Sequence, residues 1–125
     1  MAEAGPKGDL TGRRVLIVED EFFIADDLVQ ALQDLGAEVL GPAPTRQQAL
    51  DLLAGEERID FAVLDVNLQG EGVFPVADAL NARGVPFVIA TGYARSTLPP
   101  RFQNVPHWEK PFDPDTLVRA LASLN

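Results

Sequence analysis

The chain contains no cysteine and a single histidine, His107, among its 125 residues. Disulfides and thiolate metal sites are thereby excluded, and one imidazole cannot form a histidine cluster, so any bound metal has to be hard and oxygen-liganded. Long apolar runs are missing as well. None approaches the roughly 20 residues that a membrane-spanning helix needs, and the N-terminus lacks the apolar core of a signal peptide. A cytoplasmic protein with no membrane partner is therefore expected. Positive charge is also scarce, with 10 Lys and Arg against 19 Asp and Glu and a net charge of −9. The longest basic run is Arg13-Arg14, and such a surface repels a phosphate backbone, so direct nucleic-acid binding is not expected.

What is present is apolar material for one core. Hydrophobic residues make up 46% of the chain, which suits one domain and leaves no room for a second. Residues 1–12, rich in Gly, Ala and charge, are expected to form a flexible leader, and residues 13–125 the domain. Val15 to Val18, Phe61 to Leu64, Phe87 to Ala90 and, less cleanly, Val105 to Trp108 read as buried strands, with Ala37 to Leu40 a fifth. Ile24, Leu28, Ala31, Leu32 and Leu35 have helical spacing closed by Gly36. Thr45-x-x-Gln48 is a capping box for a second helix running to about Ala54. Val73, Val76, Ala77 and Leu80 form the stripe of a third, and Asp113-Pro114 supplies an N-cap and a first-turn proline for the last. That last helix is expected to face the sheet with Leu117, Ala120, Leu121 and Leu124. Between Ala94 and Asn104, Ser96, Pro99-Pro100 and Asn104 break any helical stripe, so the fourth of five helices should be short, irregular or missing. Strands alternating with helices imply right-handed crossovers and a doubly wound parallel sheet with helices on both faces.

Four of these strands end in polar residues: Glu19 and Asp20, then Asp65, Thr91 and Lys110. In an open parallel sheet, ligands bind at the carboxyl ends of the strands. Three carboxylates gathered there repel one another, so the pocket must take up protons or bind a cation. Mg2+ suits such a set, being octahedral, oxygen-liganded and commonly held by one or two carboxylates and phosphate oxygens. Lys110 adds a fixed positive charge. Each residue alone has a plainer reading: Asp20 or Glu21 as a helix cap, Asp65 as a turn residue, Thr91 as a β-branched strand former, Lys110 as a solvated charge. Their joint placement favours the pocket. Trp108 is expected to pack, Phe22 and Phe23 to serve either core or partner contact, and Asp26-Asp27 to form a solvated face.

In order and spacing, Val-Leu-Ile-Val-Glu19-Asp20-Glu21, Val-Leu-Asp65-Val-Asn67, Ala-Thr91-Gly92 and Lys110-Pro111-Phe112 resemble the signature of bacterial response-regulator receiver domains. The resemblance implies a flavodoxin-like fold with five strands in the order 2-1-3-4-5. It implies that Asp65 is the phosphoacceptor, taking a phosphoryl group from a sensor histidine kinase or a histidine phosphotransfer protein. Asp20, Asp65 and the Asn67 backbone carbonyl would ligate Mg2+, with Glu19 acting through water. Lys110 would pair with a phosphoryl oxygen, the Thr91 hydroxyl would donate to another, and Gly92 would leave room beside them. The Lys110-Pro111 bond would be cis.

Pro86-Phe-x-Ile89-Ala-Thr-Gly-Tyr93 is similar to the Pro-Phe-x-Phe-Ala-Thr-Gly-Tyr motif of a stand-alone receiver subgroup whose fourth helix is poorly formed. Two departures stand out. The loop Leu68-Gln-Gly-Glu-Gly72 lacks the usual proline, and His107 occupies the usual aromatic switch position, so His107 or Tyr93 would carry the signal. The implied protein is a signalling phosphoacceptor rather than an enzyme, acting on an unknown output protein. Alternatives are a phosphate sink or shuttle in a phosphorelay, the excised receiver of a longer kinase or regulator, and a non-phosphorylated interaction module. A haloacid-dehalogenase-like phosphohydrolase is disfavoured, since that family places its acidic pair last and needs an Asp where Asn67 stands.

Overall fold

The computed structural model describes residues 10–56 and 58–124. Five parallel strands form the main sheet: β1 (Arg14–Val18), β2 (Glu38–Ala43), β3 (Phe61–Leu64), β4 (Phe87–Thr91) and β5 (His107–Glu109). Their spatial order is 2-1-3-4-5, the flavodoxin-like order expected. The helices are α1 (Phe22–Asp34), α2 (Arg46–Gly55), α3 (Phe74–Ala82) and α4 (Pro114–Ala122).

Each central strand is covered on both sides, so its side chains divide by parity. Val15, Ile17, Val63, Val88 and Ala90 face α1 and α4, where they meet Leu28, Leu32, Leu117 and Leu121. Leu16, Val18, Leu64, Phe87 and Ile89 face α2 and α3, where they meet Leu53, Val76 and Leu80. Burying a side chain of this size stabilises the fold by about 1.5–3 kcal/mol, and that burial outweighs helix propensity here. α2 is capped as expected, with Thr45 Oγ1 accepting from the Gln48 N–H at 3.1 Å. α4 is capped by Asp113, which accepts from the Asp115 N–H at 3.1 Å, with Pro114 in the first turn.

Between β4 and β5 there is no α-helix, only 3-10 turns at Arg95–Thr97 and Pro100–Phe102. Phe102 takes the place of a helical stripe. It is fully buried and stacks on Phe74 at 5.3 Å between ring centres. Arg95 donates to the Gln103 and Val105 carbonyls at 2.7 and 2.9 Å, and Gln103 donates back to the Arg95 carbonyl at 3.0 Å.

Several expected boundaries move. Residues 1–9 of the expected leader lie outside the described residues, but Leu10 belongs to the core, buried and bonded through its N–H to the Leu35 carbonyl. β2 runs past Leu40 to Ala43 through a cis Gly41-Pro42 bond. β5 begins at His107 rather than Val105, because Val105 closes the preceding turn on Phe102. In α4 the inner position falls to buried Val118 rather than half-buried Ala120. Among the described residues, no helix is long and apolar enough to cross a membrane.

Candidate functional site

The sheet's hydrogen bonding continues beyond the last paired residues and carries the polar groups into place. The Glu19 N–H bonds the Ala43 carbonyl at 3.0 Å, the Asp65 N–H bonds the Val18 carbonyl at 2.9 Å, and the Lys110 N–H bonds the Thr91 carbonyl at 2.8 Å. The backbone at these positions is thus as fixed as the strands. A cleft of about 340 Å³ opens there, lined by Asp20, Glu21, Asp65, Asn67, Thr91, Gly92, Tyr93 and Lys110.

Lys110 is the electrostatic centre. Its Nζ lies 3.1 Å from Asp65 Oδ2, 3.0 Å from Glu19 Oε1 and 2.6 Å from Glu21 Oε1. Burial opposes the charge on Lys110, but hydrogen bonds to Glu21 and Glu19 and attraction from Asp65 outweigh it and raise its pKa. Glu19 is pushed up to about 7, by burial first and by the Asp65 charge second, against the pull of the Glu21 N–H and Lys110. One ammonium does not neutralise three carboxylates.

Asp20 stands apart from this knot. Its Oδ2 accepts from the Gln69 N–H at 3.1 Å, which ties it to a two-stranded ribbon, Asn67–Leu68 with Glu71–Gly72. The turn of that ribbon has positive φ at Gln69 (53°) and Gly70 (91°), as a two-residue turn between twisted strands requires. The loop that lacks the usual proline therefore has a defined geometry. Asn67 caps the turn by accepting from the Gly70 N–H at 2.8 Å and donates from Nδ2 to the Tyr93 hydroxyl at 3.2 Å.

On the far wall Thr91 is fully buried, and its Oγ1 accepts from the Tyr93 N–H at 3.4 Å, which leaves its own proton to donate elsewhere. A Cβ added at Gly92 would meet no protein atom within 4 Å, so Gly92 borders open space. His107 Nε2 lies 3.0 Å from the Tyr93 carbonyl; a carbonyl only accepts, so Nε2 carries the proton and donates. Both residues singled out for signalling thus touch each other. Lys110-Pro111 is cis.

Sequence reasoning did not foresee the use of Glu21. The plainer reading of Glu21 as a cap for α1 fails: it is the N-cap residue, yet its side chain makes no capping bond and goes to Lys110 instead. The usable signal was a third acid directly after the strand-end pair. The Gln69 N–H had no signal at all, since any residue supplies one.

Comparison with known proteins agrees with this geometry. Residues 15–122 match the family model of the response regulator receiver domain. SdrG from Sphingomonas melonis Fr1 is 44% identical with a TM-score of 0.77, over 93% of this chain and 97% of that one. PhyR from Bartonella quintana is 30% identical with a TM-score of 0.71, over 91% of this chain and 48% of that one. The regulatory protein PdtaR of Mycobacterium tuberculosis is 31% identical over 113 residues, which cover 87% of this chain and 55% of that protein. This chain spans about half the length of the first curated relatives it matches. With the strand order, the strand-end acids and Lys110 in place, the chain belongs to the response regulator receiver domain family.

Proposed function

We propose that this receiver accepts a phosphoryl group on Asp65 from a sensor histidine kinase or a histidine phosphotransfer protein, and signals by binding an output protein when phosphorylated. One observation carries the reading: a nearly buried carboxylate at a strand end faces an open cleft with an ammonium 3.1 Å away. Asp65 is the nucleophile. Its oxygen bonds to phosphorus as the donor's P–N bond breaks and the electron pair returns to the imidazole. Lys110 meets the negative charge on the phosphoryl oxygens, and the Thr91 hydroxyl donates to another of them. This division suits phosphoryl transfer, where catalysis is mostly positioning and electrostatics.

The donor set fits Mg2+. The oxygens are hard, and the carboxylates outnumber the ammonium. Asp20, Asp65 and the Asn67 carbonyl would hold the ion, with Glu19 through water. When bound, it supplies the charge that offsets the equatorial phosphoryl oxygens. In this reading the protein is a cytoplasmic signalling phosphoacceptor and not a turnover enzyme.

Membership of the receiver subgroup with the Pro-Phe-x-Phe-Ala-Thr-Gly-Tyr motif is the finer assignment we favour. It is supported by the 44% identity to SdrG and by the non-helical segment after β4. Output by protein binding is favoured over a phosphate sink by the likeness to PhyR, which is described as an anti-anti-sigma factor. SdrG has a BeF3-activated conformation, which makes beryllofluoride the natural probe. With Mg2+, beryllofluoride or acetyl phosphate should shift amide resonances around Asp65, Thr91 and Lys110, and Asp65→Asn should abolish the shifts. An unchanged response in that variant would overturn the assignment.

A further inference from the structure

Lys110 has three N–H donors and no more. In this structure three carboxylates take them: Glu19, Glu21 and Asp65. The Lys110 side chain is only 12% exposed, so water offers it little besides. A phosphoryl oxygen can therefore reach the ammonium only by displacing one of the three.

The three differ in their freedom to leave. Glu19 is 2% exposed in its side chain and is held a second time by the Glu21 N–H at 3.1 Å. Asp65, 7% exposed, is the nucleophile and stays beside the phosphorus. Glu21 is 59% exposed and has no further side-chain bond to lose, since it makes no capping bond to α1. Its contact to Lys110, at 2.6 Å, is the shortest of the three.

We propose that Glu21 is a built-in competitor for the phosphoryl group: its carboxylate occupies the place on Lys110 that a phosphoryl oxygen takes when Asp65 is phosphorylated, and it swings into water as that bond forms. The inference rests on the phosphoacceptor reading above. Glu21 touches Lys110 and not the reacting atoms, so it is a positioning residue that slows entry into the phosphorylated state and favours exit from it. During the transfer the Asp65 O–P bond forms as the bond from phosphorus to the donor breaks, with acetate leaving when acetyl phosphate is the donor. Lys110 keeps all its protons and exchanges one carboxylate acceptor for a phosphoryl oxygen.

The test uses the full chain with Mg2+, acetyl phosphate for the rate of phosphorylation and beryllofluoride for affinity. Glu21→Ala should raise the rate and tighten beryllofluoride binding by about three- to five-fold, the size of a half-exposed charge pair. Glu21→Asp keeps the charge but is one methylene shorter, so it should behave as Glu21→Ala does. If Glu21→Asp matches the parent while Glu21→Ala is faster, the effect is the charge of Glu21 acting through space, and the competitor is overturned. An unchanged or slower Glu21→Ala protein overturns it too while leaving Asp65 as phosphoacceptor. A parent chain that takes up no phosphoryl group defeats both.

Discussion

The connection after β1 and the connection after β4 both leave the sheet beside Asp65, yet they are held in different ways. After β1 comes α1, which bonds its own backbone along the Phe22–Asp34 span and buries Ala25, Leu28, Ala31 and Leu32. After β4, residues 92–106 contain only two short 3-10 turns, and Leu98 and Phe102 are the residues buried there. Arg95 and Gln103 supply by side chain what a helix supplies by backbone. A segment held by a few side-chain bonds and one aromatic anchor opens locally at lower free energy than a packed helix. The candidate site thus sits on rigid strand ends, and Tyr93 and His107 sit at the two ends of the softer segment. That places a change at Thr91 next to a segment that opens at lower cost than α1.

The contrast can be broken most directly at its anchor. Phe102→Ala is expected to lower the unfolding free energy in urea titration by about 3–5 kcal/mol. On the other side, Phe22→Ala removes a ring that is 72% exposed and should change stability by no more than about 0.5 kcal/mol. Equal losses would mean that the two connections are not different in kind. Arg95→Ala is expected to cost about 1 kcal/mol, because the carbonyls it serves can be rehydrated. Its sharper signature is faster amide hydrogen exchange confined to residues 94–105, with α1 unchanged; acceleration spread over the whole chain would contradict the local picture.

The strand-end side can be sharpened by pH. Glu19 holds its proton up to about pH 7 in the folded chain, against an ordinary value of 4.5. Between those values the folded state binds more protons than the unfolded one, so stability falls as pH rises through the window. Its contribution is full below pH 4.5 and lost above 7. Thermal melts of the metal-free protein should show that decline, and Glu19→Gln should flatten it; a slope that persists in the variant assigns the titration to another group. A small effect is also expected from His107→Phe. It removes one bond to the Tyr93 carbonyl, costs about 0.5 kcal/mol and shifts amides near Tyr93 and Arg95, while the beryllofluoride response at Asp65 remains. Loss of that response would place His107 in the chemistry rather than at the hinge of the softer segment.

Much of this was legible in one dimension because the relevant signals are local. Helix stripes, the Thr45 and Asp113 caps, the strand-end acids and the break at Pro99-Pro100 all depend on neighbours within a few residues. The parity of β1 and β3, with Val15 and Val63 on one face and Leu16 and Leu64 on the other, follows from the pleat once the strands are placed. The misses are contacts between distant residues. Leu10 lies in a stretch that reads as polar leader, and its burial depends on the α1–β2 corner it docks against, including the Leu35 carbonyl. Asp20 lines the cleft with Asp65, but the bond its carboxylate accepts from the Gln69 N–H, 49 positions away, has no trace in the sequence.

By itself, the order of residues determined the fold class, the strand ends that would carry polar groups, and the set Glu19, Asp20, Asp65, Thr91 and Lys110. Periodicity and capping are read from covalent neighbours, and in a parallel sheet they leave few topologies. Only the tertiary structure decided how those groups share one ammonium: that Glu21 and not Asp20 closes on Lys110, that Asp20 turns to the ribbon, and that His107 holds Tyr93 by its carbonyl. Hydrogen-bond partners depend on directions and distances of about 3 Å, which spacing along the chain does not encode.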